Sequence, residues 1–181
     1  MASSPQVTGQ LDVYLHTTFR PDCDYVDGEI QERNVGEGEH SFVQGFLVAV
    51  FWQRQKEWNV IVYPEQRIQV SPTRYRIPDV CVVSDEAPFE QVVTRPPLLC
   101  IEILSSEDRW SRMTERLEDY RSMGVPNLWV IDPLDAKAWM WSNGEPAPDW
   151  TETAELKVPG TAVRVDATAM FAALAERKRE K

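Results

Sequence analysis

The chain has 181 residues, of which 43% are hydrophobic, and it carries a formal net charge of −10. This length and composition suffice for one well-filled core, so we expect a single domain over residues 1–181, with a core at about 24–133 and additional strands and a C-terminal helix and tail at 134–181. The acidic balance argues against strong attraction of the whole surface to a polyanion, although it leaves room for a local basic groove.

The sequence also bears on the compartment. No apolar run is long enough to cross a bilayer, and the start of the chain lacks the charged and apolar regions of a signal peptide. Cys23, Cys81 and Cys100 have no metal-binding spacing, and two of them lie inside apolar strand patterns. We therefore expect a cytoplasmic protein with reduced cysteines and no membrane contact.

The N-terminal part is predicted to hold a hairpin followed by a helix. Residues 24–30 fit two short strands joined by an Asp-Gly turn, whereas residues 11–15 fit either a short strand or a helical turn. After a Gly-rich approach, Ser41 is predicted to cap a helix that runs to about Lys56. Helical spacing predicts its buried face to be Phe42, Phe46, Leu47, Val50 and Phe51.

The middle of the chain predicts strands and a βαβ unit. Three strands are expected at residues 58–63, 68–70 and 79–83. The unalternating apolar run at 98–104 indicates a central strand covered on both faces. A helix that opens at residues 105–108 and stops at Gly124 then leads to a strand at 128–132, with a right-handed crossover.

The C-terminal part is predicted to add hairpins and a last helix. The segments 136–141, 152–158 and 162–165 read as strands. Asp166 is expected to cap the last helix, and the charged residues from Glu176 onward are predicted to form a solvated, fraying tail.

Two carboxylates stand out against this background. Glu102 lies in the middle of the apolar run 98–104, where a charge is costly to bury without a cation or strong hydrogen bonds. Asp79 stands at the mouth of its own strand, directly after Pro78. If the two strands are neighbours, both carboxylates converge at one end of the sheet, as they would around a hard divalent metal ion.

Five segments in a fixed order resemble the Uma-two family, which belongs to the PD-(D/E)xK nuclease superfamily. They span residues 25–29, 40–41, 78–80, 102–105 and 124–133. The resemblance implies an α/β, restriction-endonuclease-like fold, with a mixed central β-sheet flanked by helices and extra β-hairpins. It also implies hydrolysis of phosphodiester bonds in DNA that depends on Mg²⁺ or Mn²⁺, with Asp79 and Glu102 as the metal ligands.

The chain departs from the superfamily motif at Leu104. The motif places a Lys there, two residues after the acidic residue and on the same face of the strand. The resembling family has a basic residue on the following helix instead, and the matching position is Arg116, which would steady phosphate charge but is a poor general base. Arg109 and Arg112 share its helical flank and fit a solvated or phosphate-facing role better than a catalytic one.

Other catalytic candidates come from the N-terminal part. Such nucleases draw a further carboxylate from this region; Glu29 is favoured over Glu39, because its strand precedes the core helix. The resemblance adds His40, and Gln44 one turn later would face the same way. Structural roles compete with these assignments, since Asp79 would also serve as a turn or strand cap and Glu102 as the partner of Arg116 in a structural salt bridge.

The sequence leaves the function open between classes. The leading interpretation is a metal-dependent endonuclease. The alternative is a catalytically degenerate nuclease-fold protein that acts as a binding or regulatory module, which Leu104 and the acidic balance favour; a third is hydrolysis of a small phosphoester. A homodimer is expected for cleavage of both strands, with Trp139, Trp141 and Trp150 in its contact.

Overall fold

The computed structural model describes residues 5–34, 36–106, 110–143 and 151–180. The elements within these residues are, in chain order, α1 (Pro5–His16), β1 (Cys23–Val26), β2 (Glu29–Glu32), α2 (Gly38–Trp58), β3 (Val60–Pro64), β4 (Ile68–Ser71), β5 (Arg74–Arg76), β6 (Val80–Ser84), β7 (Leu99–Ile103), α3 (Trp110–Met123), β8 (Asn127–Asp132), β9 (Lys137–Ser142), β10 (Thr151–Glu152), β11 (Glu155–Lys157), β12 (Arg164–Asp166) and α4 (Ala167–Arg179).

A mixed six-stranded sheet forms the centre of the fold, in the order β10-β9-β8-β7-β6-β3. β7 and β8 are parallel, and every other pair in this sheet is antiparallel. β7, α3 and β8 therefore form the predicted βαβ unit. β7 is buried at all its residues, which confirms the prediction of a central strand from its unbroken apolar run.

Each face of this sheet packs against helices. Leu99, Ile101 and Ile103 of β7 face one core cluster, which also contains residues of α2 and α4. Cys100 of β7 belongs to a second cluster, which contains residues of α3. Because side chains alternate along a strand, Glu102 shares the α3 side with Cys100. This alternation decides which helix supplies the partners of Glu102.

A second sheet, in the order β2-β1-β5-β4, carries the predicted N-terminal hairpin. Asp27 and Gly28 form its turn with positive φ values of 48° and 104°, the backbone for which Asp-Gly is favoured. β5 is not evident from the sequence, because Arg-Tyr-Arg carries a charge on both sides of a single aromatic residue. β5 pairs with both β1 and β4 and brings Arg76 beside the hairpin.

One open segment is resolved, and two helix boundaries differ from those expected. α1 settles the ambiguous N-terminal segment as a helix. α2 begins at Gly38 rather than after Ser41, because the Ser41 N–H already donates to the Glu37 carbonyl at 2.9 Å in the first helical turn. α4 runs to Arg179, past the predicted start of the tail, and Lys178 Nζ lies 2.9 Å from a Glu39 carboxylate oxygen on α2.

The buried face of α2 is also rotated from the predicted one. Its fully buried residues are Val43, Leu47, Phe51 and Trp58. Phe42, Phe46 and Val50 are partly buried and pack against the same core, so the predicted stripe overlaps the buried one but is offset from its centre.

The predicted dimer contact has another explanation in part. Trp139 and Trp141 pack, partly buried, against the core cluster on the α3 side, and the Arg121 guanidinium carbon lies 4.8 Å from the ring centroid of Trp141. Trp150 lies outside the described residues, and the homodimer stays a prediction. Within the described ranges, no helix is long and apolar enough to cross a membrane.

Candidate active site

The pairing of β6 with β7 places Asp79 beside Glu102. Val80 pairs with Ile101, and Asp79 directly precedes Val80. The Ile103 N–H, next to Glu102 in the chain, donates to Asp79 Oδ2 at 2.7 Å. Asp79 is 3% exposed and Glu102 is 1% exposed. The two carboxylates predicted from sequence thus meet at one end of neighbouring strands.

Asp79 is surrounded by hydrogen-bond donors. Arg33 Nη2 donates to its Oδ1 at 2.7 Å, and His40 Nε2 lies 3.3 Å from its Oδ2. Gln44, one turn after His40 on α2, donates to the Asp79 carbonyl at 3.0 Å. Burial opposes ionisation, but Arg33, His40 and the Ile103 N–H together hold the pKa of Asp79 below its usual range. Asp79 is therefore a fixed anion.

Glu102 is less well compensated. The Tyr120 hydroxyl donates to its Oε1 at 2.6 Å. Its Oε2 lies 3.5 Å from Arg116 Nη1 and 3.8 Å from Arg33 Nη2, and accepts no hydrogen bond from the described residues. Burial, reinforced by the charge of Asp79, outweighs Arg116, Arg33 and Tyr120 and raises the pKa of Glu102 to about 7.

Arg116 connects Glu102 to a third buried carboxylate, Asp24 of β1. Arg116 Nε lies 3.2 Å from Asp24 Oδ2, which also lies 3.1 Å from Arg76 Nη1. The Ile77 N–H donates to Asp24 Oδ1 at 3.1 Å. Cations and anions thus alternate through the α3 side of the fold, and Arg116 is committed to two carboxylates.

The structure brings together Asp79, Glu102, Arg116 and His40, but not Glu29. Glu29 is exposed at the turn end of β2, opposite Val26, whereas Arg33 follows the other end of the same strand. Glu39, the alternative, pairs with Lys178. The N-terminal carboxylate that joins the site is Asp24, and the preference for Glu29 is corrected accordingly.

Three further side chains of the site were not predicted from sequence. Asp24 carried a shorter form of the signal of Glu102, since it lies between Cys23 and the apolar residues Tyr25 and Val26. Tyr120 lies at helical spacing from Met113 and Leu117 in the apolar stripe of α3, and this position gives no hint of the hydroxyl contact. Arg33 sits in a polar stretch after β2 and offered no local signal.

The arginines of the helical flank have different environments. Arg112 is exposed, whereas Arg116 is buried in its ion pairs, and Arg109 lies outside the described residues. Leu104, at the position of the superfamily Lys, is buried in the apolar cluster on the α3 side. Arg116 thus contacts the carboxylate from the helix, while Leu104 contributes to packing.

A cleft of about 590 Å³ opens in front of Asp79. Its walls include Phe19, Arg20, Arg33, His40, Gln44 and Asp79. Arg33 faces the cleft and also reaches Glu102, so that Glu102 lies behind Arg33 as seen from the cleft. The site is therefore open to a ligand on its Asp79 side.

The donor set suits a hard divalent cation only in part. Among the described residues, no group of three or more His, Cys, Asp or Glu side chains is arranged to hold a metal. Two carboxylates are nevertheless sufficient for Mg²⁺, which usually keeps several waters and shares its coordination with substrate phosphates. Glu102 Oε2 is buried, and no hydrogen bond reaches it within the part of the chain that the structure describes, so its lone pairs could serve such an ion.

Solved structures first define the class of fold. The chain aligns with a crystal structure of "a putative nuclease belonging to DUF820 from Anabaena variabilis ATCC 29413", with a TM-score of 0.78, 20% sequence identity, and coverage of 91% of this chain and 98% of that chain. This likeness confirms the predicted α/β, restriction-endonuclease-like fold.

The family follows from the sequence model that the chain matches. The Uma2 model, described as "Putative restriction endonuclease", matches residues 12–168. The chain belongs to the Uma2 (Uma-two) family, as the five segments predicted, and this membership supports a nuclease function. No curated protein matches the chain.

Proposed function

We propose that this protein is an endonuclease that hydrolyses phosphodiester bonds in DNA and depends on Mg²⁺ or Mn²⁺. The observation that carries the proposal is the pair Asp79 and Glu102, buried side by side on neighbouring strands at the end of a cleft. Burying two carboxylates lowers the stability of the fold, and apolar residues would pack there without that cost. The pair is therefore better explained by a function than by packing. The description of the family as a putative restriction endonuclease supports DNA as the substrate.

In this proposal each residue has a distinct role. Asp79 and Glu102 would hold the ion, which supplies Lewis-acid polarisation of the scissile phosphate. His40, on the cleft wall, keeps Asp79 oriented through its contact with Oδ2. Arg116 is a positioning residue, because its guanidinium is committed to Glu102 and Asp24 and does not line the cleft.

The test is nicking of supercoiled plasmid by pure protein with Mg²⁺, Mn²⁺ or a chelator. Asp79→Asn and Glu102→Gln should each lower the metal-dependent rate by about a hundredfold or more, since each removes a proposed ligand charge. Asp85→Asn, an exposed carboxylate just beyond β6, is the matched control and should cut like the wild type. Equal rates in all four proteins, or cleavage that survives the chelator, would refute the proposal.

The competing function is that of a binding or regulatory module with a nuclease fold that no longer cleaves DNA, and the ion pairs at the site favour it. Arg33 and Arg116 already neutralise the two carboxylates in the manner of a structural network. A binding module of this kind would retain DNA in a filter-binding assay without metal and would release no nicked product. Saturable binding without cleavage in Mg²⁺ and Mn²⁺ would establish this second function.

A further inference from the structure

Arg33 stands between the two proposed metal ligands. Its Nη2 is 2.7 Å from Asp79 Oδ1 and 3.8 Å from Glu102 Oε2, so a single nitrogen faces both carboxylates. Mg²⁺ binds carboxylate oxygens at about 2.1 Å, and an ion shared by both side chains would need the space of this nitrogen. Arg33 and the metal therefore compete for one position.

Arg33 lies farther from Glu102 than Arg116 does, at 3.8 Å against 3.5 Å. Arg116 is held at both ends of its guanidinium, by Asp24 at Nε and by Glu102 at Nη1. Arg33 Nε is buried and has no hydrogen-bond partner among the described residues. The Arg33 guanidinium is thus held chiefly through Nη2, by the same carboxylates that a metal would take.

The cleft gives the Arg33 side chain a place to go. Arg33 lines the cleft, and so do the acidic residues Asp22 and Glu65. The Arg33 backbone is fixed by a hydrogen bond from its N–H to the Asp22 carbonyl at 2.9 Å. The side chain alone therefore has to move, and a released guanidinium would meet carboxylates, or the phosphate of a substrate, in the cleft.

The charge balance also favours a metal ion that replaces Arg33 over one that binds beside it. With Glu102 deprotonated, as metal binding requires, Asp79 and Glu102 are matched by Arg33 and Arg116, so the four groups sum to zero. A divalent ion added beside Arg33 would leave two positive charges in a buried place, whereas an ion that replaces Arg33 leaves one. A single positive charge suits an anionic phosphate.

We propose that Arg33 is a built-in counter-cation, which fills the Asp79–Glu102 pair at rest and moves into the cleft when Mg²⁺ or Mn²⁺ binds. The inference rests on the proposed function for the identity of the metal ligands. It assigns to Arg33 a regulatory role: the affinity for metal is set by how readily this side chain leaves.

Calorimetric titration of the whole protein with Mn²⁺ tests the inference. Arg33→Met removes the competing charge and should bind Mn²⁺ at least about tenfold more tightly than the wild type. Arg20→Met removes a charge from the same cleft without touching the carboxylate pair, and should change the affinity by less than about twofold. Unchanged or weaker binding by Arg33→Met, or an equal gain in Arg20→Met, would overturn the inference.

Two further measurements guard against a misfolded variant. Arg33→Lys keeps a cation at the position and should bind Mn²⁺ more weakly than Arg33→Met; equal affinities would show that charge is not the cause. In the wild type, the NMR signal of the Arg33 side-chain N–H should shift on addition of diamagnetic Mg²⁺. A signal that stays in place while Mg²⁺ binds would refute the release of Arg33.

The inference and the proposed function fail in different ways. Suppose that the wild type cleaves plasmid and that Arg33→Met gains no Mn²⁺ affinity. This result would refute the proposed role of Arg33 and support the nuclease function. Tight Mn²⁺ binding by Arg33→Met that Asp79→Asn abolishes, together with no cleavage by any variant, supports the role of Arg33 and refutes the nuclease.

Discussion

The Ile103 N–H donates to Asp79 Oδ2 at 2.7 Å, across the boundary between β6 and β7. This bond ties the first carboxylate to the residue that follows the second. Because side chains alternate along a strand, a register shift of one residue would turn Glu102 away from α3 and toward α2. The strand pairing therefore sets the position of both carboxylates, and the arginines set their charge balance.

Loss of Arg116 should destabilise the protein strongly. Arg116→Met leaves both Glu102 and Asp24 without a cation they now contact, and breaking a buried ion pair in this way costs about 3–5 kcal/mol. Urea denaturation monitored by tryptophan fluorescence measures the free energy of unfolding. Arg112→Met, exposed on the same helix, is the control and should stay within about 0.5 kcal/mol of the wild type. Equal losses in the two variants would contradict the network.

The raised pKa of Glu102 predicts a specific dependence of stability on pH. The folded state holds the Glu102 proton up to a pKa of about 7, against an ordinary value of 4.5. The contribution of Glu102 is therefore fully present below pH 4.5 and is lost as the pH rises through about 7. Relative to Glu102→Gln, the wild type should lose up to roughly 3 kcal/mol over this interval. A constant difference across the interval would show that the pKa is not raised.

Tyr120→Phe should shift metal binding to higher pH. The Tyr120 hydroxyl donates to Glu102 Oε1 and so favours the charged carboxylate. Its removal raises the pKa of Glu102 further, and a metal binds the deprotonated carboxylate. The pH midpoint of Mn²⁺ affinity, measured by calorimetry, should therefore move upward. Tyr63→Phe, on β3, should keep the wild-type midpoint, and a downward shift in Tyr120→Phe would contradict the assigned contact.

Much of the fold follows from local patterns in the sequence. The unbroken apolar run around Glu102 predicted a central strand, and the Gly124 stop predicted the βαβ unit that the structure contains. β5 escaped prediction because the aliphatic part of Arg76 is buried with its charge paired, and a charged residue normally indicates exposure. β5 is a strand because it pairs with β1 and β4, which its local sequence does not indicate.

The local signal for a buried site residue is a charge that interrupts an apolar run, whereas His40 and Arg116 were predicted from the family resemblance. Glu102 and Asp24 both show this signal, but in Asp24 an adjacent Asp-Gly turn gave the acidic residue an ordinary explanation. Arg33 shows no signal, since its contact with Asp79 joins residues 46 positions apart, one just after β2 and the other just before β6. The cation that contacts both carboxylates is thus brought to the site by tertiary structure alone.

The most direct test is a crystal structure of the protein soaked with Mn²⁺, with the ion located by its anomalous scattering. The proposals predict one peak within about 2.3 Å of carboxylate oxygens of both Asp79 and Glu102, with the Arg33 guanidinium displaced into the cleft. A Mn²⁺ peak elsewhere, or an Arg33 Nη2 that remains 2.7 Å from Asp79 while the crystal is saturated with metal, would contradict them.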